Sequence, residues 1–201
     1  MIFFRIMRAI LNPVAHLIFR LSCEGRDNIP ATGAVVIASN HINLIDPGLH
    51  AFCIRRTFRT MAKAELFRTK VLAFILRPLG AFPVTRGKAD KRSFTTAADV
   101  LRAGDALLIF PEGTRSKDGS LGLFKAGAVA LCAMTGAPVV PAAMVERKHL
   151  RLFDPVKIIY GQPMSCEQLG LAGETNSRLL RHAAEMVRAE VERLAAQGSG
   201  Q

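Results

Sequence analysis

Short apolar runs alternate with longer amphipathic stretches through most of this chain. The clearest runs are AVVIA at Ala34–Ala38 and ALLIF at Ala106–Phe110, and uninterrupted apolar runs of this length are typical of buried strands. Further strands are predicted at 58–62, 81–85, 139–145 and 156–160, and helices at 65–77, 90–103, 124–135 and 175–196. Because strands and helices alternate, the pattern predicts an α/β fold with a mostly parallel sheet covered by helices.

The chain divides into an N-terminal segment, Met1–Leu21, and a single domain over 22–201, since no repeat or long linker interrupts the rest. The segment is apolar with basic interruptions, and its longest uncharged run, Ala9–Phe19, is too short to span a bilayer. No small-residue cleavage site follows it, which argues against a signal peptide. We interpret the segment as a helix lying in the membrane interface; the alternative is a helix folded onto the domain's own core.

Charge narrows the choice of partners. The 201 residues include 27 Lys and Arg against 16 Asp and Glu, a net charge of +11, and the pI is near 10.3. Such an excess favours anionic partners. The chain has one Tyr and no Trp, and its twelve Phe lie in apolar stretches. A surface that binds single-stranded nucleic acid needs aromatic residues interleaved with basic ones, so we expect no nucleic-acid partner. The remaining candidates for an anionic partner are acidic lipid head groups, phosphorylated substrates and an acidic carrier protein.

The four cysteines are tens of residues apart and form no C-x-x-C pair, so neither a zinc ribbon nor a thioredoxin-like site is indicated. We expect reduced, buried thiols of a cytosolic protein. They are Cys23, Cys53, Cys132 and Cys166.

A first polar cluster follows the AVVIA strand and contains His41 and Asp46. In parallel sheets, reactive groups lie just beyond the carboxyl ends of the strands. A carboxylate bonded to one nitrogen of an imidazole ring fixes the tautomer in which the second nitrogen can accept a proton. A gap of five residues brings the two together only across a turn, for which Asn43 and Pro47 are suitable. The alternative is an Asp that caps a helix beside an unrelated His.

A second cluster, Phe110–Ser116, follows the ALLIF strand and contains Glu112 and Arg115. Arg115 suits the two-pronged recognition of a phosphate, and Glu112 suits binding a hydroxyl or orienting the arginine. Arg86 and Lys88 follow the predicted strand at 81–85 and would add positive charge to the same rim. Ordinary connecting loops are the alternatives for both segments.

Together these blocks resemble the glycerolipid acyltransferase family, and within it the bacterial 1-acyl-sn-glycerol-3-phosphate acyltransferases. The matching motifs occur in the family's order along residues 25–165. They are Asn40-His41-x4-Asp46, Gly80-x-Phe82-x3-Arg86, the run from Phe110 through Ser116, and Pro138-x2-Pro141.

The resemblance implies an enzyme in which His41 deprotonates the acceptor hydroxyl, supported by Asp46, and the oxygen attacks an acyl thioester. It implies that the glycerol phosphate is held by a set of residues on the rim, namely Arg86, Glu112, Gly113, Thr114 and Arg115. No metal or cofactor is expected, and the co-substrate is acyl-CoA or an acyl-carrier protein. A lysophospholipid acceptor and an anionic membrane are the expected partners, with the enzyme peripheral on the cytoplasmic face of the cell membrane.

Three alternatives remain open from the sequence. In the first, the acceptor is another lysolipid or an amino-lipid. In the second, His41 and Asp46 bind a metal in a hydrolase, although the sequence offers no further ligands. In the third, the protein is a basic lipid binder without catalytic activity.

Overall fold

The computed structural model describes residues 12–77, 80–84, 91–116, 118–145 and 150–199. Seven strands form one sheet in the order β1-β7-β6-β2-β5-β3-β4. The strands are β1 Ser22–Glu24, β2 Val35–Ser39, β3 Phe58–Lys63, β4 Ala81–Val84, β5 Ala106–Ile109, β6 Val139–Val145 and β7 Lys157–Tyr160. From β6 to β4 all neighbours are parallel, whereas β7 is antiparallel to β6, and β1 is parallel to β7. The predicted mostly parallel α/β sheet is confirmed.

Helices cover both faces of the sheet. The described part of α1 covers residues 12–18; the other α-helices are α2 Asp46–Cys53, α3 Lys70–Leu76, α4 Lys91–Arg102, α5 Gly127–Thr135 and α6 Ser177–Ser199. Two 3-10 helices, Arg26–Asn28 and Ala64–Arg68, lie between them. Helices α4, α5 and α6 contribute buried side chains to one core cluster, and α2 contributes to the cluster on the other face.

The two central strands are buried on both faces, which explains their unbroken apolar sequences. Along β2, Val36 and Ala38 belong to the cluster beneath α4 and α5, while Val35 and Ile37 belong to the cluster beneath α2. Apolar contacts on both sides leave no position on β2 for a solvated side chain. The functional groups are therefore confined to the strand ends.

Most element predictions are confirmed within two or three residues. Gly136 ends α5 in the left-handed conformation, as its sequence position predicted, with φ 73°. The single helix predicted at 65–77 is wrong, because Thr69 adopts an extended conformation that separates a 3-10 helix from α3. Strand β1 and helix α2 were not predicted from the sequence.

The N-terminal segment reaches the core at its described end. Ala15 and Leu21 are buried, and the backbone N–H of Phe153 donates to the carbonyl of Ile18 at 2.7 Å. Residues 1–11 lie outside the described part, so the boundary at 21/22 and the interface helix stay predictions. No helix among the described residues is long and apolar enough to cross a bilayer.

The expectation of four reduced cysteines is wrong for one pair. Cys23 of β1 and Cys53, the last residue of α2, form a disulfide with their Cα atoms 5.9 Å apart. The fold brings them together across 30 residues, a proximity that spacing in the sequence does not reveal. Cys132 and Cys166 are free thiols, and burial raises the pKa of Cys132.

Candidate active site

The chemistry-bearing loops meet at the edge of the sheet where the parallel strands end, which we call the carboxyl edge. The loop after β2 carries His41 and leads directly into α2, whose first residue is Asp46. The loop after the adjacent strand β5 carries Glu112 and Arg115. Because β2 and β5 are paired in parallel, both loops leave the sheet on the same side.

His41 and Asp46 are in direct contact. Nδ1–H of His41 donates to Oδ2 of Asp46 at 2.8 Å, and the Asp46 side chain is fully buried. The same carboxylate accepts the backbone N–H groups of Ile42 at 2.7 Å and Asn43 at 3.0 Å. Asp46 therefore shapes the turn that carries His41 as well as orienting its ring, and the reading of Asp46 as a cap unrelated to His41 is wrong.

The His41 ring is held on its flat side as well. It stacks on Phe110, with ring centroids 4.2 Å apart and planes inclined by 23°, and its side chain is 10% exposed. With the proton on Nδ1, the Nε2 lone pair is available to accept a proton from a substrate. Among the described residues no group is hydrogen-bonded to Nε2. This arrangement is suited to general base catalysis.

Glu112 connects the two loops. Its Oε1 accepts the backbone N–H of His41 at 2.8 Å, and its Oε2 accepts the backbone N–H of Gly122 at 3.1 Å. A further bond runs from the N–H of Ser116 to the carbonyl oxygen of His41 at 2.8 Å. The Glu112 carboxylate thus fixes the backbone around the base, and its predicted contact with substrate stays a prediction.

The rest of the loop presents polar groups to solvent. Thr114 and Arg115 are exposed, and Arg115 directly precedes Ser116, which is bonded to the His41 backbone. Gly113 adopts φ 74°, and a Cβ there would lie 2.7 Å from Nζ of Lys125. The Lys125 ammonium therefore lies beside Gly113. The predicted site residue Arg86 lies outside the described residues.

A second histidine is buried beneath the site. His50 lies one helical turn after Asp46; its Nδ1 is 2.9 Å from the Tyr160 hydroxyl and its Nε2 is 3.0 Å from the Ser39 hydroxyl. Burial lowers the pKa of His50 from its ordinary 6.5 to about 4, opposed by the charge of Asp46 and aided by that of His41. His50 is therefore neutral near pH 7 and links α2 to β2 and β7.

A model of the Acyltransferase family matches residues 20–145. The chain belongs to this family. It is 36% identical over 144 residues to a 1-acyl-sn-glycerol-3-phosphate acyltransferase of Bacillus subtilis, covering 69% of this chain and 71% of the relative. It is 32% identical over 132 residues to the chloroplastic 1-acyl-sn-glycerol-3-phosphate acyltransferase LPAT1 of Arabidopsis thaliana, covering 63% of this chain and 36% of that protein.

The fold of the family is shared as well. The crystal structure of the 1-acyl-sn-glycerophosphate acyltransferase PlsC from Thermotoga maritima superposes with a TM-score of 0.69 at 26% identity, covering 94% of this chain and 81% of that one. The resemblance drawn from the four motifs is thereby confirmed.

Sequence reasoning missed two residues of this candidate site. Lys125 is a cation just before α5, and the bond from its backbone N–H to the Pro111 carbonyl at 3.0 Å holds it near Gly113. His50 follows Asp46 by four residues, a spacing that puts both on one face of a helix, but α2 itself was not predicted. Within the described residues no group of three or more His, Cys, Asp or Glu side chains is arranged to hold a metal ion.

Proposed function

We propose that this protein transfers a fatty acyl group from an acyl thioester to the free hydroxyl of 1-acyl-glycerol-3-phosphate, producing phosphatidic acid. The observation that carries the proposal is the bond between His41 Nδ1 and the buried Asp46 carboxylate at the carboxyl edge, in a chain of the Acyltransferase family. Relatives named as 1-acyl-sn-glycerol-3-phosphate acyltransferases support the choice of acceptor. The matched region covers 36% of LPAT1, so the substrates of that protein are carried over to this chain only as a proposal.

In the reaction, Nε2 of His41 takes the proton of the acceptor hydroxyl as the oxygen attacks the thioester carbonyl. The carbonyl π electrons move onto its oxygen, and when they return the C–S bond breaks. The imidazolium then protonates the departing thiolate, so that the base is regenerated. Asp46 stabilises the imidazolium between these steps, since its buried carboxylate lies 2.8 Å from Nδ1.

The acceptor phosphate would be held by cations on the same edge. Arg115 follows β5 and is exposed, and the Lys125 ammonium lies beside Gly113 of the same loop. The guanidinium of Arg115 suits a two-pronged contact with phosphate oxygens, and the Lys125 ammonium adds a point charge. Gly113 and Thr114 would complete this cradle, together with Arg86.

The remaining partners follow from charge and chemistry. We propose acyl-CoA or an acyl-carrier protein as donor, with neither cofactor nor metal, because a general base and a thioester suffice for the chemistry. The net charge of +11 favours attraction to an anionic membrane surface, where a lysophospholipid acceptor resides. We place the enzyme peripherally on the cytoplasmic face of the cell membrane.

The decisive experiment combines purified protein, lysophosphatidate and a labelled acyl thioester, offered as the coenzyme A or the carrier-protein form. Formation of labelled phosphatidic acid that persists in a metal chelator is the expected result. Other lysophospholipids and an amino-lipid serve as competing acceptors in the same assay. Acylation of one of those in preference to lysophosphatidate would contradict the proposed acceptor, and the absence of any acyl transfer would favour a non-catalytic lipid binder.

A further inference from the structure

Exposed apolar side chains are concentrated at the carboxyl edge. Twelve large hydrophobic side chains are exposed among the described residues, and seven belong to α1 or to loops that leave or enter the sheet at this edge. These seven are Val14, Leu17, Leu44, Ile45, Leu123, Leu152 and Phe153. Three more lie on α3, in the connection from β3 to β4, and are Val71, Leu72 and Phe74. The opposite edge carries Met134, near the end of α5, and Leu179, near the start of α6. The apolar surface is therefore not distributed evenly over the molecule.

Two of these segments meet in one corner, between α1 and the loop that joins β6 to β7. The loop begins at the carboxyl edge because β6 is parallel to β2, and α1 leads into β1 beside it. Backbone bonds join the segments: Phe153 N–H to the Ile18 carbonyl at 2.7 Å, and Val156 N–H to the Phe19 carbonyl at 3.0 Å. We call the exposed side chains of this corner the corner patch. They are Leu17, Arg20, Arg151, Leu152 and Phe153.

The corner patch contains two residues with strained backbone. In the described part of the chain only two residues other than glycine have a positive φ, namely Arg20 at 40° and Phe153 at 70°. A bulky residue in the left-handed region is unfavourable, and such strain persists where function retains it. At both positions the side chain is exposed, so the strain is not explained by burial of a core residue. Instead, it presents an aromatic ring and a guanidinium to the surroundings.

The chemistry of the corner patch fits a lipid surface. Phe153 is 60% exposed and Leu152 68%, and Arg20 and Arg151 are exposed beside them. The nearby acid, Asp154, uses Oδ2 to accept the Arg151 backbone N–H at 2.9 Å. Apolar side chains next to arginines are the combination that enters the boundary between lipid head groups and acyl chains. An acidic protein partner would use the arginines but would leave the apolar side chains unexplained.

We propose that the corner patch docks this enzyme on an anionic bilayer, with Phe153 and Leu152 inserted among the lipids and Arg20 and Arg151 at the head groups. The proposal rests on the acyltransferase function, because a lysophospholipid acceptor lies in that bilayer. Since the corner patch shares the carboxyl edge with His41, docking would turn the general base toward the membrane surface. The acceptor would then reach the site without leaving the interface.

Phe153→Gly separates docking from folding. Glycine adopts a φ of 70° readily, so the variant should unfold at the same or a higher temperature than the parent. Loss of the ring should reduce partitioning onto phosphatidylcholine vesicles containing phosphatidylglycerol by about tenfold, and Leu152→Ser should reduce it further. Met134→Ser, on the opposite edge, is the matched control and should bind vesicles as the parent does. Vesicles without phosphatidylglycerol should bind the parent weakly, and added salt should weaken binding to the anionic ones.

Acyl transfer is measured in parallel with an acceptor of short chain that disperses as monomers and with an acceptor embedded in vesicles. We expect Phe153→Gly to retain the first rate and lose most of the second. The proposal would be overturned if the double variant with Phe153→Gly and Leu152→Ser bound vesicles as the parent does. A lowered unfolding temperature of Phe153→Gly would also contradict it. So would a variant that lost binding to an acidic carrier protein while keeping its binding to vesicles. If the parent transfers no acyl group but Phe153→Gly still loses vesicle binding, docking stands and the proposed function fails.

Discussion

At the scale of single residues, the Asp46 carboxylate accepts hydrogen bonds from three donors at once. It holds the His41 ring and the backbone N–H groups of Ile42 and Asn43. Because all of these groups belong to the turn that it also ends, removing the carboxylate would disturb the tautomer of His41 and the shape of the turn together. In the proposed mechanism Asp46 therefore supports the base, and in the fold it organises the backbone of the turn.

The first prediction concerns the base. His41→Ala should lower kcat by roughly 10²–10⁴, the usual contribution of general base catalysis, while the thermal unfolding temperature stays close to that of the parent. Asp46→Asn should lower kcat as well, because an amide cannot stabilise the imidazolium. His182→Ala, which changes an exposed residue of α6, is the control and should be fully active. A His41→Ala protein that kept more than about a tenth of the parental rate would exclude the mechanism.

The second prediction concerns recognition of the acceptor phosphate. Arg115→Lys should raise KM for lysophosphatidate by about ten- to a hundredfold, since an ammonium cannot reproduce the forked contact of a guanidinium. An acceptor without the phosphate should show little change. Glu112→Gln should instead lower kcat with both acceptors, because its amide nitrogen cannot accept a backbone N–H. Arg178→Lys, exposed at the start of α6, is the control. Equal losses with both acceptors in Arg115→Lys would assign Arg115 to the donor or to the fold.

At the scale of elements, helix α2 joins the turn that carries His41 to the core. Asp46 begins the helix, His50 lies one turn further on, and Cys53 ends it in the disulfide to β1. The Ser39 and Tyr160 hydroxyls flank the buried imidazole of His50, so that α2 is bonded to β2 and β7. We infer that this network fixes the orientation of α2 and thereby the position of Asp46.

The third prediction tests His50 through pH. Its pKa is about 4 in the folded protein against 6.5 when unfolded, so the unfolded state binds the extra proton between these values. The free energy of unfolding should be highest above pH 6.5. It should fall by up to about 3 kcal/mol as the pH drops to 4, because the unfolded state is then favoured by protonation of His50. His50→Asn should be less stable at pH 7 but lose less between pH 6.5 and 4. Urea unfolding at a series of pH values measures both; the same decrease in both proteins would contradict the assignment.

At the scale of the whole molecule, apolar side chains fill the two faces of the sheet, and the polar residues of the candidate site lie at its carboxyl edge. Seven exposed apolar side chains belong to α1 or to loops at that edge, where His41 also lies, and the net charge is +11. The N-terminal segment approaches the same edge, since Ile18 and Phe19 are bonded to the loop between β6 and β7. The described end of this segment and the corner patch therefore lie on the side of the molecule that we expect to face lipid.

The fourth prediction separates the beginning of the chain from the corner patch. Removing residues 1–11 eliminates a mostly apolar sequence with Arg5 and Arg8 while keeping the buried Ala15 and Leu21. Binding to anionic vesicles should weaken, each cation at such a surface being worth about 1 kcal/mol, and thermal unfolding should not change. Combining the truncation with Phe153→Gly should weaken binding beyond either change alone. Unaltered binding after the truncation would exclude residues 1–11 as a membrane-interface element.

The sequence alone determined the features that depend on neighbouring residues. The apolar runs at 34–38 and 106–110 predicted the two central strands, because a strand buried on both faces has no polar position. Gly136 predicted the end of α5, because it adopts a left-handed φ without a Cβ clash. The polar residues that follow these strands located the chemistry, since parallel strands present their carboxyl ends on one edge.

Only the tertiary structure decided which distant groups meet. Glu112 bonds the backbone of His41 across 71 residues, and His50 meets Tyr160 across 110, because β2, β5 and β7 are brought together by the order of strands in the sheet. Helix α2 was missed because Asp46-Pro47-Gly48 is also a turn sequence, and packing of Leu49 and Cys53 against the core is what favours the helix. Local periodicity sets each element, whereas long-range packing sets the contacts between elements, and the hydrogen bonds around His41 are contacts of the second kind.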